Sequence, residues 1–191
     1  MANSNYLPSV VTPFCTMKFM YLAKQDTKFD PKYSVDMVFD TTEPSHREFI
    51  EQMQKLNKDV AAELLKDQKV KKGWNTKELF KEETDSEGNP TGKLMLKGTT
   101  KDKPVVKDCD GKVLEDSFVN TLGNGTVGRA KLCLKKSAVS TRKTLGITTY
   151  LSTFGATVQV KEPVFYEGGD GFGKVEDGFV APEITGGDED F

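Results

Sequence analysis

Between Cys15 and Phe39 the chain alternates apolar and polar residues twice over, a period that only extended strands with one buried face satisfy. Cys15, Met17, Phe19 and Tyr21 alternate with Thr16, Lys18 and Met20. After the turn residues Phe29-Asp30-Pro31-Lys32, the set Tyr33, Val35, Met37 and Phe39 alternates with Ser34, Asp36 and Asp40. The expectation is a hairpin with both apolar sets turned inward. Pro44 and Ser45-x-x-Glu48 then signal a helix start with a capping box, and Phe49, Met53, Leu56, Val60 and Leu64 recur at helical spacing to near Lys66. Further strands are expected over 93–97, 105–113 (interrupted by the turn signal Asp110-Gly111), 126–135, 146–151 and 157–165. A mainly β chain with one early helix fits a five-stranded OB-type barrel carrying an inserted α-helix. An α+β sandwich has the same periodicities, because barrel closure leaves no mark in sequence.

The strand pattern stops near residue 166. Residues 167–191 hold eight Asp and Glu against one Lys, end on Asp188-Glu189-Asp190-Phe191, and show neither periodicity nor a hydrophobic run. So little apolar area cannot offset the entropy of ordering the segment, and a disordered acidic tail is expected after one domain spanning 1–166. Removing that net −7 from the chain's −2 leaves 26 Lys and Arg against 21 Asp and Glu, a basic body hidden behind a mildly acidic total. A basic body tied to an acidic tail suits a polyanion binder whose tail occupies the same groove when nucleic acid is absent. An acidic solubilising tail is the plainer alternative, but it has no use for the terminal Phe191. An aromatic on an acidic strip (Asp188, Glu189, Asp190, Phe191) suits docking into a partner's basic-rimmed apolar pocket.

Enzyme chemistry finds little support. His46 is the sole histidine, expected on the surface in the first helical turn, and Cys15, Cys109 and Cys133 are odd in number without a C-x-x-C pair, so they read as buried or inert thiols. Asp108, Asp110, Glu115 and Asp116 lack the spacing of a calcium loop. Gly123-x-Gly125-x-x-Gly128 matches the dinucleotide fingerprint in form, yet an alternating strand pattern follows it where a helix is required, so it reads as a turn. No metal or cofactor is expected. There is no signal-peptide pattern and no run of the roughly 18 apolar residues a membrane span needs, so the chain reads as soluble and cytoplasmic.

Single-stranded nucleic acid is bound by cations that track phosphates and by rings on which bases stack. The polar strand faces offer both. Arg129, Lys131 and Lys135 project from one strand opposite Ala130, Leu132 and Leu134; Lys93 and Lys97 flank Met95 on another; Lys18 lies on the first. Tyr150 stands between Thr148 and Ser152, opposite Ile147 and Leu151, and Lys71 and Lys72 precede the only tryptophan, Trp74, in an expected loop. For Tyr150 and Trp74 ordinary packing is an open alternative.

The segments 19–23 and 29–40, the helix after Pro44, the Gly123-Asn124-Gly125 turn into a strand, and the acidic tail ending in Asp190-Phe191 together resemble the phage single-stranded DNA-binding proteins of the short-tailed-phage replication type. The resemblance implies an OB fold that coats exposed single-stranded DNA in replication and recombination. It also implies a tail that contacts the replicative DNA polymerase and the primase-helicase, competes with DNA and mediates homodimerisation. Tyr33, Tyr150, Arg129 and Lys131 are the counterparts it suggests for the binding surface. The rival expectation is a non-enzymatic phage structural or interaction protein whose tail docks a partner.

Overall fold

The computed structural model describes residues 5–66 and 73–165. Ten strands and two helices follow in the order β1 (Tyr6–Val11), β2 (Cys15–Asp26), β3 (Lys32–Asp40), α1 (Pro44–Leu64), β4 (Asn75–Thr76), β5 (Lys81–Thr84), β6 (Pro90–Thr100), β7 (Val106–Lys107), α2 (Asp116–Val119), β8 (Thr126–Val139), β9 (Thr144–Leu151) and β10 (Val158–Glu162). Five of them close a ring. β2 pairs with β3, β3 with β6, and β9 with β8, all antiparallel; β6 meets β9 in parallel at Thr99 and Tyr150, and β8 returns to β2 through Cys15 and Gly128. This is the OB-type barrel, with α1 inserted between its second and third strands.

Inward-facing residues fill the barrel. Met17, Val35, Met37, Phe39, Leu132, Leu134 and Ile147 are fully buried, each such side chain contributing about 1.5–3 kcal/mol by leaving water. Helix α1 covers one side with Phe49, Ile50, Met53 and Val60, and the rings of Phe39, Phe49 and Phe80 pack within 5.2 to 6.4 Å of one another. Asn57 ties the helix to the barrel by accepting from the Ile147 N–H and donating to the Lys77 carbonyl.

Three local expectations change. The inward set of β2 breaks after Met17, because a bulge between Lys18 and Tyr21 puts Phe19 at φ 48° and turns Phe19 and Tyr21 to solvent, with Leu22 buried instead. One extra residue in a strand exchanges its faces. The Asn124 side chain holds the bulge by accepting from the Phe19 N–H at 2.8 Å. No capping box forms: Glu43 is the N-cap without a side-chain bond, and Pro44, whose missing N–H would be unpaired in the first turn anyway, starts the helix. His46 is buried, not exposed; it accepts from the Asp40 N–H at Nδ1 and donates from Nε2 to the Phe14 carbonyl at 2.7 Å. The interruption expected at Asp110-Gly111 is present, since Asp108 to Gly111 form a turn, and β7 is the strand that precedes it. The Gly123–Gly125 turn does lead into a strand. No helix among the described residues is long and apolar enough to cross a membrane.

Candidate nucleic-acid interface

Alternation along β8 sets the surface. Ala130, Leu132 and Leu134 enter the core while Arg129, Lys131, Cys133 and Lys135 face out. β9 pairs with β8 so that Tyr150 stands beside Cys133, and on the other edge β1 pairs so that Tyr6 stands beside Lys135. The outcome is a groove of about 810 Å³ between β1 and the ends of β3 and β6, lined by Tyr6, Ser9, Lys32, Lys101, Cys133, Lys135, Tyr150 and Phe154. Tyr6, Tyr150 and Phe154 are 59%, 37% and 80% exposed, so ring area faces the groove from three sides.

Cations accompany these rings. The Lys135 ammonium lies 5.5 Å from the Tyr6 ring centre, and Lys131 donates to the Phe154 carbonyl. Neither has a carboxylate partner among the described residues, whereas Lys101 pairs with Asp30 at 3.2 Å on the groove wall. Rings with unneutralised cations beside them offer stacking and phosphate attraction together.

The remaining sequence candidates are distributed elsewhere. Lys18, Lys93 and Lys97 share the outer face of β2, β3 and β6 and are engaged by carboxylates: Lys18 with Glu83, Lys93 with Asp40 at 4.0 Å, and Lys97 with Asp36 at 3.5 Å. Tyr33 pairs with Thr100 and does not line the groove. Trp74 is half-buried beside β4, which meets β9 at Thr144, the strand end opposite Tyr150. Lys71, Lys72 and the tail residues Asp188, Glu189, Asp190 and Phe191 lie outside the described residues. Sequence reasoning missed Tyr6, Phe154, Lys32 and Lys101; Tyr6 and Phe154 are isolated rings beside Pro8 and Gly155, where periodicity gives no signal. Cys15 is buried and its thiol is pushed up to about 12 by that burial, against the Thr12 hydroxyl, while Cys109 is exposed and Cys133 lies half-buried in the groove wall.

Two buried carboxylates, Glu83 on β5 and Asp36 on β3, behave oppositely. Burial pushes Glu83 up, but the Lys18 ammonium and Thr91 hydroxyl outweigh it and hold the acid below its ordinary value. Burial dominates at Asp36 and raises its acid despite Lys97. The folded chain therefore keeps the Asp36 proton longer than the unfolded chain does, so this residue lowers stability as pH rises from the ordinary Asp value through the raised one. Asp36→Asn is expected to abolish that loss, seen as a gap between variant and parent urea midpoints that widens over this window. A gap independent of pH contradicts the assignment.

No family model matches the chain, and no curated protein matches it in sequence. Solved structures do. The single-stranded DNA-binding protein gp2.5 of bacteriophage T7 superposes with a TM-score of 0.59 at 20% identity, covering 92% of this chain and 99% of that one. The fold is that of the phage single-stranded DNA-binding proteins. The C-terminally truncated single-stranded DNA-binding protein of bacteriophage Enc34 gives 0.58 at 15% identity over 82% of this chain and 87% of that one. The Enc34 protein in complex with ssDNA gives 0.53 at 15% identity over 81% and 85%. The overall fold is thus shared at a sequence distance where side chains differ at most positions.

Proposed function

We propose that this chain is a non-enzymatic, sequence-tolerant single-stranded DNA-binding protein acting in phage DNA replication and recombination in the host cytoplasm. The observation that carries the reading is the groove itself, where Tyr6, Tyr150 and Phe154 stand with Lys135 and where Lys131 reaches in from the rim to the Phe154 carbonyl. Three exposed rings suit bases of any identity, since every base has a π-face, and the lysines suit the phosphates. The Enc34 neighbour solved in complex with ssDNA supports the same class of ligand. A salt series with a labelled oligothymidylate tests it. Affinity falling linearly in log salt, with weaker binding to a duplex of equal length, is expected; no binding at low salt refutes it.

The acidic tail serves as the contact to the replicative polymerase, the primase-helicase and a second copy of the chain, with Phe191 as anchor. Its charge also opposes that of the body, and tethering holds it near the groove at an effective concentration of about millimolar. Deleting residues 168–191 is expected to tighten DNA binding, most at low salt, because screening weakens the local competitor. Equal affinities of the truncated and full chains across the salt series contradict self-competition.

A further inference from the structure

Beyond Lys131 the outer face of β8 opens into a second cleft, of about 300 Å³, with Lys107, Arg129, Lys131 and Gln159 among its walls and no carboxylate lining it among the described residues. Arg129 is fixed there from two sides. Its Nε donates to Gln159 Oε1 at 2.8 Å, and its guanidinium lies 4.8 Å from the centre of the Phe14 ring. Both supports are themselves held. Gln159 donates from Nε2 to the carbonyls of Asp108 and Cys109, which sets its amide orientation, and Phe14 is anchored through its carbonyl by the buried His46. The same ring carries the Lys161 ammonium at 5.6 Å, a lysine that also meets Glu162 at 3.4 Å. Lys107, Arg129 and Lys131 have no ion-pair partner among the described residues.

Arg129, an unpaired cation held in place by neutral groups, makes an anion site with Lys107 and Lys131 beside it, because no protein carboxylate among the described residues lines the cleft and the guanidinium loses little side-chain entropy on binding. We infer that this cleft is a phosphodiester clamp for the strand that leaves the aromatic groove, with Arg129 and Lys107 as binding residues and Gln159 and Phe14 as positioning residues. The inference rests on the single-strand reading above. Lys131 lies between the two sites, and Arg129 is six residues from Lys135 on β8, about 20 Å along a strand, so one extended strand spans both.

The test uses the full chain and oligothymidylates of increasing length, read by fluorescence anisotropy. Short oligomers that fill only the groove should bind the parent, Lys107→Glu and Gln159→Leu alike. Oligomers long enough to reach the cleft should bind both variants about tenfold more weakly, the scale of one charge-assisted contact. The salt slope should become shallower by about one or more in Lys107→Glu. Gln159→Leu changes no charge, so its loss should largely vanish when Arg129 is already Ala; a merely structural role leaves the two losses additive. Parallel length dependence in the parent and both variants overturns the clamp while leaving the groove reading intact, provided Tyr150→Ala still weakens binding. Failure of the parent to bind any oligomer overturns both.

Discussion

Replacing Tyr150 by Ala is expected to weaken single-strand binding by about 1–3 kcal/mol and to leave the barrel folded. The ring stands on the outer face of β9 between Cys133 of β8 and Thr99 of β6, while its neighbours Ile147 and Leu151 are within the core. Truncation therefore removes groove surface without opening a core cavity. Anisotropy gives the affinity and thermal melting the stability. A variant that loses stability yet keeps its affinity assigns Tyr150 to packing. Tyr150→Phe should retain most of the binding, since stacking uses the ring rather than the hydroxyl.

The second large effect is on folding. Gly146 has φ 146°, and a Cβ there would lie 2.3 Å from Asn57 Oδ1, the atom that accepts from the Ile147 N–H and fastens α1 to the barrel. Gly146→Ala combines an unfavourable backbone conformation with displacement of a buried hydrogen-bonding side chain. The expected cost is about 2–5 kcal/mol. For a chain of this size that lowers the melting temperature by about 5–15 °C. Measured on the isolated protein, a melting temperature within a degree or two of the parent contradicts this account of the α1–β9 junction. DNA affinity per folded molecule should change little, because Gly146 is at the other end of β9 from the groove mouth.

The strong periodicities were legible. β8 reads correctly from sequence because Thr126 to Lys135 hold one alternation, so Arg129, Lys131 and Lys135 emerge on one face without knowledge of the fold. The β2 bulge was not legible, since Phe19 and Tyr21 continue the apolar alternation while the bulge that turns them out is held by the Asn124 side chain, 105 residues away in the chain. Lys18, Lys93 and Lys97 illustrate a second limit. Their lysine chemistry is visible in sequence, but whether a carboxylate neutralises each depends on cross-strand register, which aligns Lys97 with Asp36 and Lys93 with Asp40. The groove's far wall was hidden for another reason: Tyr6 belongs to a strand containing Pro8, whose missing N–H weakens any strand signal, and that strand is tolerated because it lies along the outside of β8.

The central claim is that single-stranded DNA lies across β8 and β9 rather than on the exposed rings outside the groove, which among the described residues are Phe19, Tyr21, Phe29, Phe118 and Phe165. Photo-crosslinking of the full chain to an oligonucleotide carrying a photoreactive pyrimidine, followed by mass spectrometry of the adducts, separates the two surfaces directly. Adducts concentrated on Tyr6, Tyr150 and Phe154, and lost on competition with unlabelled single strand, are the predicted result. Adducts confined to Phe19, Tyr21, Phe29, Phe118 or Phe165, or none above a duplex control, would contradict it.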